Sequence, residues 1–449
     1  MQRFEVHAHT EYSNIRLLDA INKPEDLINR AIELELAGIA ITDHECLSSH
    51  IKVNQYAKKV QKNNPNFKVA LGNEIYLVDA RENGIKYYHF ILIAKDIIGH
   101  KQLRQLSSLA WLNSYHDRGM ERVPTLKSDL KRIVREDPGH LIATTACMGG
   151  ELSTLALNMH NARHVGDNQS AEEYKKGIIY FVQEMLDIFG EDFYIECAPA
   201  ASKEQIIVNN HLYNIANSFN VKMVIGSDAH YLKKEDRYVH KAYLNSKGGE
   251  REVDDFYEYS YLQSDDEIQE HLSKSFDNTF YNFIASMYAN SMEIYDKIEN
   301  YSLEHKQTIP KVQVKDYPKT HVPLNPVKYP TLTYLMNSDN IQDRYWVNEC
   351  YISLLEKEHN KIIDDTRHNE YMDRLEEEAR VKKIIGEKLG TNMFAYPITL
   401  QHYIDMFWEC GSLVGAGRGS SCSGLNHYLL GITQLDPIEW DFPFWRLEL

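Results

Sequence analysis

The sequence predicts an α/β protein, a distorted seven-stranded (β/α) barrel followed by a mostly helical α+β second domain. Three observations carry this. Between residues 1 and 231, seven short apolar runs (FEVHAH, GIAITDH, VALGNE, YHFILIA, LIATTAC, FYIEC and MVIGSDAH) read as strands. The segments between them carry apolar residues at helical spacing. The polar residues of the runs gather at their C-terminal ends, the rim where active sites of β/α barrels lie.

Each run is near-continuously apolar, as expected of parallel strands buried on both faces. After the first run, Pro24 suits a first helical position, and Leu27, Ile28, Ala31, Ile32 and Leu34 form one face of the helix that follows. A chain of 449 residues exceeds one ordinary domain. From about residue 250 the texture turns helical and charge-rich, which places domains at 1–250 and 251–449. The Pro- and Lys-containing passage from Pro310 to Pro330 reads as a linker, and Asp339 to Gly386 as amphipathic helix with a solvated charged face. No internal repeat is evident.

Composition narrows the function. Hydrophobic residues are 43% and charged residues 25%, an ordinary globular balance. The N-terminus MQRFEVHAHTEYS is too polar for a secretion signal, and no run of about 18 apolar residues follows, so a cytoplasmic setting without membrane contact is expected. The six cysteines lack CxxC spacing, which argues against a disulfide framework or a zinc ribbon. A net charge of -16 means that any contact with nucleic acid must use local basic groups or bound metal.

Residues that bind metal recur at strand end after strand end. His7 and His9 lie two apart on a strand, so both rings point one way. TDH follows with Asp43 and His44, GNE with Glu74, YYHF with His89, TTAC with Cys147, and GSDAH with Asp228 and His230. Imidazole suits zinc, iron or manganese, a carboxylate can bridge two ions, and a thiolate favours softer metals. Cys197 in FYIEC has no companion and reads as a buried thiol, while His100, His116, His140 and His240 read as ordinary.

HAHTEYS, TDH, GNE, the isolated strand histidine, ACMGG and SDAHY resemble, in order, the motifs of the polymerase-and-histidinol-phosphatase (PHP) domain, specifically that of the bacterial DNA polymerase III alpha subunit. The resemblance implies three divalent ions (zinc, manganese or iron, with magnesium an option). It assigns His7, His9, Glu74 and Asp228 to one, Glu74, His89 and Cys147 to a second, and Asp19, His44 and His230 to a third. Asp19 departs from the family pattern, since LLDAIN stands where LDG is usual. Asp43 is expected to brace the loop beside His44. His7, His9, Glu74 and Asp228 are the expected catalytic residues of a 3′ to 5′ proofreading exonuclease.

Residues 402–436 carry a glycine- and serine-rich turn between apolar segments. Gly417, Arg418, Gly419, Ser420 and Ser421 have the chemistry to cradle phosphate, with Gly415 and Gly424 beside them, although Walker spacing is absent. The stretch resembles the GRGS palm motif and LLGIT-x-LDP continuation of C-family polymerases, which implies a grip on an incoming triphosphate. The family's catalytic DxD pair lies beyond WRLEL. Asp436 and Asp441 are not that pair, and Asp436 matches a structural aspartate. DNA synthesis is therefore expected to need a C-terminal part bearing those aspartates, whether the polymerase is naturally split, as in a phage, or simply longer. Glu448 and the FPFW segment are then expected at an interface with that part. Expected partners are primer-template DNA, that C-terminal part, a sliding clamp and other replisome subunits, in a bacterial or phage-infected cell. A free-standing PHP phosphatase and a structural metal-binding scaffold stand as the alternatives.

Overall fold

A computed structural model describes residues 2–15, 18–117, 120–246, 255–276, 280–305, 308–319 and 324–448. All seven apolar runs are strands: β1 (Phe4–Glu5), β2 (Gly38–Ile41), β3 (Lys68–Val78), β4 (Tyr88–Ala94), β5 (Leu141–Thr144), β6 (Phe193–Cys197) and β7 (Met223–Ile225). They neighbour one another in chain order. A parallel bridge between Ala8 and Ala229, with His9 N donating to Ala229 O at 3.0 Å, brings the first and last ends together into a nearly closed barrel.

The sheet departs from the all-parallel expectation at β4, which runs antiparallel to both β3 and β5. A parallel neighbour needs a crossover of a dozen or more residues, usually a helix, and residues 79–87 are too few to supply one. Burial on both faces explains the continuous apolar run of β4. Ile91 and Ile93 point into the barrel with Phe4, Val6, Ile142 and Val224. Phe90, Leu92 and Ala94 point outward against Leu103, Leu106 and Phe181. Each of these Val, Ile, Leu and Phe side chains contributes about 1.5–3 kcal/mol on burial.

The helix Pro24–Glu33 begins at Pro24 and buries Leu27, Ile28 and Ala31, with Glu25 and Asp26 in the first turn, where the helix dipole favours acids. Ile32 and Leu34 are half-buried at its border.

The chain divides into two compact units, Met1–His305 and Lys306–Leu449, beyond the expected boundary near 250. The helix Phe280–Lys297 accounts for the difference. Ser291 Oγ accepts from Phe4 N at 3.0 Å, Asn290 Nδ2 donates to Met223 O at 2.8 Å, and Ile294 and Ile298 join the apolar cluster inside the barrel. This helix carries few charges (Glu293, Asp296 and Lys297), and its contacts join it to strands far away in the sequence, so packing runs past the point where composition shifts.

The second unit is mostly helical, with no strand among its described residues. The stretch read as amphipathic helix is two helices, Ile341–His359 and His368–Leu389, packed with Pro330–Met336 and Ala395–Glu409 around Trp346, Leu354, Leu375 and Ile398. The described residues of the expected linker carry no helix or strand before Pro330. The passage is nonetheless anchored. Tyr317 is buried, its hydroxyl donates to Glu349 Oε1 at 2.5 Å, and Arg344 Nε donates to Tyr317 O at 2.8 Å. Among the described residues, no helix is long and apolar enough to cross a membrane.

Candidate metal centre

The reversed direction of β4 matters at one rim. His7 and His9 follow β1, His44 follows β2, Cys147 follows β5, and Asp228 and His230 follow β7, all beyond C-terminal ends. His89 stands at the opposite, N-terminal end of its strand, yet reaches the same rim because β4 is antiparallel. Three non-glycine residues at this rim have left-handed backbones: Glu45 (φ 54°), Ala146 (φ 56°) and Asp228 (φ 47°). Such conformations cost about 1–3 kcal/mol each and persist where surrounding structure imposes them.

Three groups of side chains converge so that one ligand atom from each lies within 4.8 Å of the others. The first is His7, His9, Glu74 and Asp228, the set expected for one ion. His7 Nε2 and His9 Nε2 are 3.0 Å apart. Each lies 3.0–3.3 Å from Glu74 Oε2 and 3.1 Å from Asp228 Oδ1. These are close to the edge of about 3.3 Å between ligand atoms around a tetrahedral ion with bonds of about 2.0–2.1 Å.

The second group is His44, Glu74 and His89, where Cys147 was expected in place of His44. Cys147 Sγ lies 3.6 Å from His89 Nδ1 but outside that group. The third is His9, His44 and His230. Asp19, expected there, sits beside it with Oδ2 at 2.7 Å from His44 Nε2 and 3.0 Å from His230 Nε2. The rings of His44 and His230 each lie 4.4 Å from the His9 ring and 5.9 Å from one another.

The donor set suits a cation. Both oxygens of Asp228, Glu74 Oε1 and His44 Nδ1 are buried without a hydrogen-bond partner among the described residues. Yet ring nitrogens approach Asp228 Oδ1 to 3.1 Å and Glu74 Oε1 to 2.6 Å, distances without hydrogen-bond alignment. Unpaired buried oxygens cost several kcal/mol unless a charge answers them. Burial opposes charge on His7, but Glu196, Asp228 and Glu74 hold its imidazole well above the ordinary range. Burial likewise opposes ionisation of Asp228, which His7 and His230 nonetheless hold below the usual carboxylate range. Burial pushes the Cys147 thiol well up, with Asp228 and Glu74 adding to it. In the ion-free arrangement protons thus occupy positions a metal ion can take, and binding must release them.

Residues 5–200 match the PHP domain family, and residues 349–447 match the bacterial DNA polymerase III alpha NTPase domain. A DNA-directed DNA polymerase of Bacillus phage SPbeta is 40% identical over 98% of this chain and 35% of its own length. The DNA polymerase III alpha subunit of Aquifex aeolicus is 28% identical over 98% of this chain and 34% of its own length. The chain is thus similar to DNA polymerase III alpha subunits and carries a stretch matching the PHP domain family. It spans about a third of the length of these relatives.

The clustered side chains are braced by residues that motif reading passes over. Glu196 Oε1 takes the His7 Nδ1 proton at 2.6 Å, which turns Nε2 toward the site, while Thr144 Oγ1 donates to Glu196 Oε2 at 2.6 Å. FYIEC draws the eye to Cys197, which is only buried. The available signal is an acid inside an otherwise apolar strand. Glu5, in the first run, is a second case: it accepts from His7 N, Ser227 N and Ser227 Oγ. Asp43 accepts from Thr10 N, Ser13 Oγ and Ser49 Oγ and so ties the first two strand ends together. His240, read as ordinary, has Nε2 at 2.6 Å from the Asp19 carbonyl and positions that loop.

Glu196→Gln is expected to lower metal-dependent activity or metal affinity by about 10–100-fold, the usual cost of losing a group that orients a metal-binding histidine. Gly226→Ala should act on the same bond, since a Cβ there would lie 2.2 Å from Glu196 Oε1. Titration of the purified variants with Mn²⁺ checks both, and wild-type affinity in both would reject the bracing role.

The Gly417–Ser421 turn lies in the second unit. Arg418 and Ser420 are exposed. Gly417 (φ 150°) has no room for a side chain because a Cβ would meet Cys422 Sγ at 2.6 Å, and Gly419 is left-handed (φ 64°). Ser421 Oγ pairs with His427 Nδ1 at 2.8 Å. Behind the turn, the buried Glu378 accepts from Leu425 N, Asn426 N and Asn426 Nδ2. Asp436 accepts from the Tyr371 hydroxyl at 2.6 Å and from Ile438 N at 2.9 Å. Asp436→Ala is therefore expected to destabilise the second unit by about 1–3 kcal/mol, measured by urea unfolding; an unchanged midpoint would contradict it.

Proposed function

We propose that the first unit is a metal-dependent phosphodiesterase that shortens DNA from its 3′ end, and that the second is the opening part of a polymerase palm. The observation that carries this is the buried convergence of His7, His9, Glu74 and Asp228, with carboxylate oxygens left without hydrogen-bond partners. His7, His9, Glu74 and Asp228 would hold one ion, Glu74, His44 and His89 a second, with Cys147 at its edge, and His230, His44 and Asp19 a third. Divalent ions there, with zinc, manganese or iron suited to the imidazoles, supply positive charge to phosphoryl oxygens and acidify a water.

The chain's own residues do the rest. Glu196 and Ser13 hold His7 Nδ1 and His9 Nδ1, at 2.6 and 3.1 Å, so that both Nε2 atoms face the site. Tyr257 donates to Asp19 Oδ1 at 3.0 Å and fixes the carboxylate between His44 and His230. In the second unit, Arg418 and the Ser420 and Ser421 hydroxyls have the donors to hold a triphosphate. DNA synthesis would draw on primer-template DNA and on catalytic aspartates carried by a further polypeptide part.

The test is incubation of the whole chain with a primer mismatch labelled at the 3′-terminal nucleotide, in Mn²⁺ or Zn²⁺ and in EDTA. Metal-dependent release of the label, lost in a His9→Ala, Asp228→Ala double variant, is expected. A metal-loaded chain that leaves the primer intact would overturn the reading.

A further inference from the structure

The strands that carry Glu74 and His89 pair with Tyr76 directly opposite His89, and just beyond, Leu77 and Val78 also pair in parallel with Thr125 and Leu126. Side chains alternate along a strand, so Glu74 and Tyr76 share the face that looks toward the site. Tyr76 stacks on His89 with centroids 4.8 Å apart and on Tyr87 at the same separation, the rings tilted by 26° and 21°. The Arg122 guanidinium then lies 5.1 Å from the Tyr87 ring centre, and its Nη1 donates to the Tyr87 hydroxyl at 2.9 Å. A continuous ladder of planar groups thus runs outward from a metal-binding imidazole to a cation.

Neighbouring cations are already paired. Arg81 lies 3.3 Å from Asp129, and Lys127 lies 3.0 Å from Asp79 and 2.8 Å from Glu151. Arg122 is half-buried and has no carboxylate within ion-pair distance among the described residues. A guanidinium without an ion-pair partner, anchored through Nη1 on the Tyr87 hydroxyl and Met120 Sδ, keeps the rest of its fork for an anion. In a chain of net charge -16, a polyanion needs such a local partner.

We propose that Arg122, positioned by Tyr87, is a subsite for a backbone phosphodiester of a single-stranded nucleic acid whose 3′ end lies at the metal centre. This rests on the phosphodiesterase reading above. The subsite engages the strand upstream of the bond to be cut, and the tyrosine ladder sets its distance from the ions.

The experiment measures binding of a 5′-fluorescein-labelled oligothymidylate to the whole chain by anisotropy across a range of NaCl, in EDTA, and hydrolysis of the same strand in Mn²⁺. Arg122→Ala is expected to weaken binding about tenfold and to lower the salt slope by about 0.7, the share of one single-strand phosphate contact. In hydrolysis KM should rise while kcat changes far less. Arg122→Lys should recover part of the affinity, and Tyr87→Phe should lose less than Arg122→Ala. Circular dichroism checks folding, and Arg122→Gln replaces Arg122→Ala if the latter unfolds. An unchanged salt slope, with or without weaker binding, would overturn the subsite, as would a wild type that does not bind the strand. Arg122-dependent binding by a wild type that cannot hydrolyse would uphold the subsite and reject the hydrolytic reading.

Discussion

Asp228→Ala is expected to abolish metal-dependent hydrolysis to within assay limits, a loss of more than about 100-fold, while the barrel still folds. The size follows by comparison, because residues that only brace a metal-binding group already cost about 10–100-fold. Asp228 does more. Its Oδ1 lies 3.1 Å from both His7 Nε2 and His9 Nε2 and 3.5 Å from His230 Nδ1, so its loss removes the acid facing all three. Alanine also accepts the left-handed backbone less readily than aspartate, so Asp228→Asn should be made in parallel. Metal content by mass spectrometry and 3′-end release are the readouts. Full activity in both variants would remove Asp228 from the site.

Stripping the metal is expected to lower the thermal midpoint by about six degrees. A ligand present at about 1,000 times its dissociation constant adds about 4 kcal/mol, and for a unit the size of Met1–His305, with about 2 cal/mol/K of unfolding entropy per residue, each kcal/mol is worth about 1.5 °C. The shift should depend on pH in a definite sense. Despite the opposing effect of burial, His7 and His9 are raised above their ordinary range and His230 is pushed up to about 9, each by facing carboxylates. Protons therefore compete with the ion below these values. The stabilisation by added Mn²⁺ should grow as pH rises from 6 toward about 9. Scanning fluorimetry in EDTA and in Mn²⁺ at several pH values tests this, and a midpoint indifferent to both metal and chelator would show that the clustered side chains hold no ion.

What could be read without coordinates was the repeating element and its decorated end. Seven apolar runs became seven strands because a strand buried on both faces must be apolar throughout. The histidines and acids at the run ends were visible for the same reason, as polar residues in places that packing alone would leave apolar. Glu196 was legible in principle by that test but was masked by Cys197, the more conspicuous neighbour. The reach of the first unit to His305 was not legible, because the helix Phe280–Lys297 joins it through contacts with Phe4 and Met223, residues far away along the chain.

The sequence by itself determined which side chains could meet a metal ion, since strand alternation and buried apolar runs follow from local chemistry. Only the tertiary structure decided their grouping. Whether His44 or Cys147 joins Glu74 and His89 depends on angles around a closing barrel, and His89 reaches the rim only because β4 is reversed. The ladder from His89 to Arg122 likewise joins residues from separate segments, so their proximity is a property of the fold and not of spacing along the chain.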